Sequence, residues 1–118
     1  MWRLGLALDV VVVLVFVAIG RSAHDHGVSL SGMASTTWPF AVGLGVAWLV
    51  MRASRRSGLR WREGVANAVV TVTLGMVLRV VAGQGTAFAF IVVALCFVGG
   101  LMLAWRVVFA RARSLRRD

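Results

Sequence analysis

Residues 10–20 read VVVVLVFVAIG, apolar on every side of a helix and with no stripe left for water. Three more apolar stretches follow, so the expected spans are 4–20, 34–51, 64–82 and 86–109. Each comes close to the roughly 20 helical residues that cross a hydrocarbon layer of about 30 Å. Strands are excluded by the same solvent, because an open sheet leaves unpaired backbone edges in lipid and so few strands cannot close a barrel. The expected fold class is all-α: a polytopic membrane protein, one domain over 1–118, with its transmembrane helices in an antiparallel bundle. Composition agrees, since 60% hydrophobic and 14% charged residues lie well outside the range of a soluble domain. The first span follows MWR as a signal peptide's would. Asp9 interrupts it and no convincing small-x-small cleavage site closes it, so it is expected to be retained.

All the basic residues are arginines, and their placement sets the orientation. Arg3 precedes the first span; Arg52, Arg55, Arg56, Arg60 and Arg62 separate spans two and three; Arg106, Arg111, Arg113, Arg116 and Arg117 close the chain. Only Arg21 joins the opposite loops, and Arg79 is embedded. The positive-inside bias then gives N-in/C-in, with both termini cytoplasmic in the cell (plasma) membrane. Trp2, Trp48, Trp61 and Trp105 near one boundary and Trp38 near the other are expected as interfacial anchors. No aromatic platform or recognition motif accompanies the arginines, so the expected partner is a bilayer with anionic headgroups and not nucleic acid.

Span two opens with STTWPF, which reads as a helix start because capping hydroxyls precede Pro39 and early helical amides lack partners anyway. Small residues recur four apart in Ala41 and Gly45, Gly43 and Ala47, and Gly100 and Ala104, a spacing that suits close helix packing inside the bundle or between subunits. The inner ends of spans two and four also echo each other, AWLVMRASRRS and AWRVVFARARS.

Span three is the most informative. Asn67, Thr71, Gly75, Arg79 and Gly83 recur every four residues and form one polar or small stripe on a helix otherwise apolar. Its Val and Leu residues favour insertion by about 3–5 kcal/mol, whereas a central arginine costs about 2.5–3.5. Such a helix is marginal alone, so the stripe is expected to face its neighbours. Arg79 has two readings: it snorkels to the outer headgroups, or it lines a polar cavity as a buried cation. Asp9 lies at a different depth, and Arg106, Arg52 or Arg3 suits it better as a partner than Arg79.

The loop RSAHDHG offers His24, Asp25 and His26, yet no fourth ligand is evident and a solvated loop is the simpler reading. No metal or cofactor is expected. Cys96 is the only cysteine, so no intrachain disulfide can form. Without paired carboxylates, a Ser/His/Asp group or a nucleotide loop, an enzyme is not expected. The turn GQGT is short, so spans three and four are expected to be neighbours. Its glycines permit the turn or expose amides beside Arg79.

The order of an early Asp9, AIGR with a His-Gly loop, WPF with GLGVAW, GMVLRVVAGQGTAFAF and finally AWR resembles the DUF3054 family, small integral membrane proteins found largely in actinobacteria. The family has no assigned activity. The resemblance implies a four-helix membrane protein, supplies no mechanism, and points at Asp9, Trp38, Pro39, Arg79, Gly83, Gly85, Thr86 and Arg106. The expected functional set is Asp9, Asn67, Thr71, Arg79, Gly83, Gly85, Thr86 and Arg106. Its expected use is a small transporter or channel with a polar interior around Arg79. The alternative is a structural or accessory subunit of a membrane complex, and a homo-oligomer or another membrane protein is the expected partner.

Overall fold

The computed structural model describes residues 2–23, 30–84 and 88–117. They form four helices: α1 (Trp2–Ala23), α2 (Leu30–Ala53), α3 (Trp61–Val81) and α4 (Phe88–Arg117). All four are long and apolar enough to cross a membrane. Each helix overruns its apolar stretch at one end or both. This is clearest in α4, which includes the arginine-rich tail and whose 30 residues extend about 45 Å, more than the thickness of a hydrocarbon layer of about 30 Å.

The helix start expected at STTWPF is corrected, because α2 begins upstream at Leu30 and Pro39 lies inside the helix. A proline ring removes one backbone donor, the one that would bond the carbonyl four residues back. Here that carbonyl belongs to Ser35, and Gln84 Nε2 donates to it instead at 3.1 Å. The helix therefore continues through a residue that locally argues against it.

Both described interhelical turns carry a left-handed residue in second place. After α2, Arg55 takes φ 58°, with Arg56 N donating to Met51 O and Arg55 N to Arg52 O. After α3, Gly83 takes φ 78°, with Gln84 N donating to Arg79 O and Gly83 N to Val80 O. These paired bonds satisfy the last carbonyls of each helix. At the start of α3 the Glu63 carboxylate accepts from Arg60 N and from Ser57 Oγ.

Among the described residues α1 packs on α2 and α4, and α3 packs on α2 and α4, so the helices close a ring. The α2–α3 contact is the tightest. A Cβ at Gly43 would stand 2.6 Å from the Thr71 carbonyl oxygen, so the two backbones touch. Gly43 and Ala47 are thus the interior small pair, whereas Ala41 with Gly45 and Gly100 with Ala104 lie exposed. Towards the start of α4 the core is aromatic: Phe16 meets Phe40 edge-on at 5.7 Å, and Phe90 and Phe97 lean on Phe16 at 5.8 and 5.6 Å. Outward faces carry Leu49, Val81 and Val108, apolar and exposed as on a lipid-facing surface.

Gly43→Ala is expected to cost about 1–3 kcal/mol through overpacking at α2–α3. Gly45→Ala, where a new methyl meets nothing within 4 Å, is expected to leave stability unchanged or slightly raised. Thermal unfolding in mild detergent distinguishes the two.

Candidate functional site

At the arginine-rich end an ion pair lies wholly inside the protein. Arg106 Nη2 donates to Asp9 Oδ2 at 2.8 Å and Nη1 to Oδ1 at 3.0 Å, a two-pronged fork in which both side chains have no exposed surface. Two indoles complete the carboxylate: Trp48 Nε1 donates to Oδ2 at 3.0 Å and Trp105 Nε1 to Oδ1 at 2.9 Å. Arg106 also donates from Nε to Gly58 O and from Nη1 to Met102 O. Its guanidinium lies 4.3 Å from the Trp105 ring centre. One carboxylate on α1 therefore gathers α2, α4 and the α2–α3 turn.

The surrounding sequence makes room for this cluster. Gly58 takes φ 75°, and a Cβ there would stand 2.5 Å from the Trp48 ring, so the turn needs glycine for both its backbone and its space. Gly64 on α3 leaves the gap in which the Arg106 side chain lies, since a Cβ would come within 2.6 Å of Arg106 Cδ. Trp48, expected as an interfacial anchor, is instead buried; its ring turned inward because the carboxylate offered its N–H a partner where lipid offers none. Trp105 is half-buried for the same reason, whereas Trp38 and Trp61 remain exposed.

Along α3 the polar stripe runs away from this pair. Asn67 and Thr71 are completely buried, and Asn67 Oδ1, Asn67 Nδ2 and Thr71 Oγ1 have no hydrogen-bond partner among the described residues. Thr37 Oγ1 on α2 shares that condition. An unmade hydrogen bond at a buried polar group costs about 1–3 kcal/mol. Gly75, next on the stripe, faces the Phe40 ring.

The stripe ends at a cavity of about 380 Å³ at the opposite end of the molecule, lined by Arg79, Arg21, Gln84, Ser35, Thr36 and Phe90 among others. Arg79 Nη1 donates to Gln84 Oε1 at 3.1 Å, and its guanidinium sits 4.9 Å from the Phe90 ring centre. Gln84 in turn holds the Ser35 carbonyl that Pro39 leaves without a donor, so Arg79, Gln84 and the proline form one chain of consequences. Arg21 Nη1 donates to Thr36 Oγ1 at 2.9 Å across the same cavity. Arg79 is partly buried at the mouth of the ring of helices and directed at its neighbours.

Of the residues singled out in the sequence, the structure brings Asp9 and Arg106 together at one end and buries Asn67 and Thr71 between the ends. It places Arg79 at the other end, with Gly83 terminating α3 beside it. Asp9 and Arg79 do not meet. Gly85, Thr86, His24, Asp25 and His26 lie outside the described residues. Gln84, Trp48 and Trp105 were not singled out as site residues. The AW echo between the ends of spans two and four held the signal for the indoles, because its two tryptophans are the ones that flank the carboxylate.

Four helices able to cross a membrane, tied at one end by a buried ion pair and hollowed at the other, define an all-α chain of membrane-spanning type. It belongs to DUF3054, a family described as protein of unknown function, whose pattern matches residues 6–109. No curated protein and no solved structure matches the chain.

Asp9→Asn leaves the Arg106 charge buried without its counter-ion and is expected to destabilise the fold by about 3–5 kcal/mol. The paired change Asp9→Leu with Arg106→Met removes both charges and is expected to cost less than Asp9→Asn alone, although two indole N–H groups then lose their acceptor. Chemical or thermal unfolding of the single and paired variants reads the difference.

Proposed function

We propose that this protein is a multi-pass protein of the cell membrane, its helices antiparallel and both termini cytoplasmic, that conducts a small polar solute or ion along the stripe on α3. Several contacts support the antiparallel reading. Asp9 early in α1, Trp48 late in α2, Gly64 early in α3 and Arg106 late in α4 all meet at the end that carries most of the arginines. A cytoplasmic placement of that end follows the positive-inside bias.

The observation that carries the conduction reading is the pair Asn67 and Thr71, buried with unmet hydrogen-bonding capacity between the cavity and the ion pair. A bundle built only to pack would gain by making these positions apolar. Polar groups retained there suit a solute that must exchange its water for protein contacts. In this conformation the way is shut at both ends of the stripe. Phe16, Phe40 and Phe90 fill the core beside the cavity, and Asp9 with Arg106 ties the helices at the far end. Passage would require the aromatic layer and the clamp to open in turn.

The small faces favour a second reading, a structural or accessory subunit. Ala41 with Gly45 and Gly100 with Ala104 present exposed small residues four apart, the spacing that lets another membrane helix or a second copy approach closely. In that reading the buried polar groups set helix register only.

The readings separate in Asn67→Leu and Thr71→Val. Conduction predicts at least a tenfold loss of flux for ions and small polar solutes in reconstituted vesicles, with melting temperature unchanged or raised as orphaned polar groups disappear. Flux that is absent in the parent protein, or equal in the variants, removes the reading. Orientation is tested separately with Ser114→Cys in a Cys96→Ser background: an impermeant thiol reagent is expected to label only after the cells are opened.

A further inference from the structure

A second hollow, about 740 Å³, lies at the arginine-rich end between the start of α3 and the last turns of α4. Four arginines line it, Arg60 and Arg62 from one side and Arg111 and Arg113 from the other, and all four are exposed. No described lining residue is acidic. The carboxylate in the first turn of α3, Glu63, is buried and already accepts from Arg60 N and Ser57 Oγ. Arg106 also borders the hollow, but its guanidinium is committed to Asp9. The walls are apolar, with Leu59, Trp61, Val107 and Phe109 among them, and Trp61 is more than half exposed.

Two chemistries therefore meet in one groove: a rim of guanidinium donors that suits a phosphodiester, and apolar walls that suit acyl chain. In the orientation proposed above, α4, about 45 Å long, outruns a hydrocarbon layer of about 30 Å at this end, which brings the groove to the depth of lipid headgroups. We infer that this groove binds one anionic phospholipid of the adjoining leaflet, its phosphate held between the Arg60 and Arg62 side and the Arg111 and Arg113 side, and its upper chain lying on Trp61 and Phe109. The site rests on this end meeting the membrane surface, as proposed above, and adds to that reading a discrete position and a ligand class. A diffuse attraction of all the arginines to a charged surface needs no such groove. A discrete site does, because basic pockets between helices gather headgroups that scattered charges cannot orient.

The full chain, reconstituted in phosphatidylcholine vesicles with increasing phosphatidylglycerol bearing brominated acyl chains, tests this through quenching of tryptophan fluorescence. Quenching is expected to saturate at a low mole fraction of the anionic lipid, and Trp61→Phe is expected to reduce its amplitude. Arg60→Gln with Arg111→Gln is expected to raise the half-saturating fraction on the order of tenfold. Arg55→Gln with Arg56→Gln removes the same charge from the neighbouring turn and is expected to shift it less than threefold. All four positions are exposed, and unchanged helicity verifies that the variants fold. Equal shifts for the two pairs, or quenching that never saturates, would mean diffuse attraction and overturn the site. Displacement by millimolar inorganic phosphate or glycerol phosphate would overturn the lipid assignment in favour of a soluble anion. Vesicles carry the lipid in both leaflets, so a wrong orientation, read by thiol labelling, leaves this result intact.

Discussion

A carboxylate and a guanidinium deprived of water hold this protein together. Moving such charges out of water costs several kcal/mol for each ion, and attraction offsets that cost only where the remaining bonding positions are also met. Asp9 and Arg106 meet the condition: each carboxylate oxygen accepts one arm of the fork and one indole N–H, and Arg106 also serves two backbone carbonyls. The cluster fixes the axial register of α1 against α2 and α4, because a slide of one turn would strand a charge. Gly58 and Gly64 follow from it, since neither a side chain on the turn nor one on α3 could share the space of Trp48 and Arg106.

The polar groups elsewhere are treated differently. At the cavity end the bonding is a relay of neutral and charged side chains that compensates a broken helix bond: Pro39 frees Ser35, Gln84 caps it, and Arg79 holds Gln84. Between the ends Asn67 and Thr71 carry bonding capacity with nothing among the described residues to meet it. The clamp is fully satisfied, the relay repairs a broken helix bond, and the stripe between them keeps polar atoms that no described residue meets. Packing gives the same division, with backbone against backbone at Gly43 in the middle and open space at the cavity.

Four helices were legible because lipid permits so few alternatives to a long apolar run. The interior face of α3 was legible too, since a four-residue recurrence of Asn67, Thr71, Gly75 and Arg79 can occupy only one side of a helix. What was not legible depends on helix phase and partners distant in the chain. Trp48 reads as an anchor because an indole suits the headgroup zone. Only a carboxylate on another helix turns it inward. Arg106 was one of three arginines at a suitable depth for Asp9, and depth alone does not choose among them. Pro39 reads as a helix start because the residue that repairs its missing bond, Gln84, lies far along the chain.

The clamp can be observed directly at its indoles. Of the five tryptophans, Trp48 and Trp105 alone donate to Asp9 among the described residues. Indole proton exchange followed by nuclear magnetic resonance on the tryptophan-labelled protein should therefore give slow Nε1–H signals for Trp48 and Trp105, with those of Trp38 and Trp61 exchanging fast. Both slow signals should move together when Asp9 is replaced by Asn. Exchange of Trp48 and Trp105 at the rate of the exposed indoles, or signals indifferent to Asp9, would contradict a carboxylate-centred clamp.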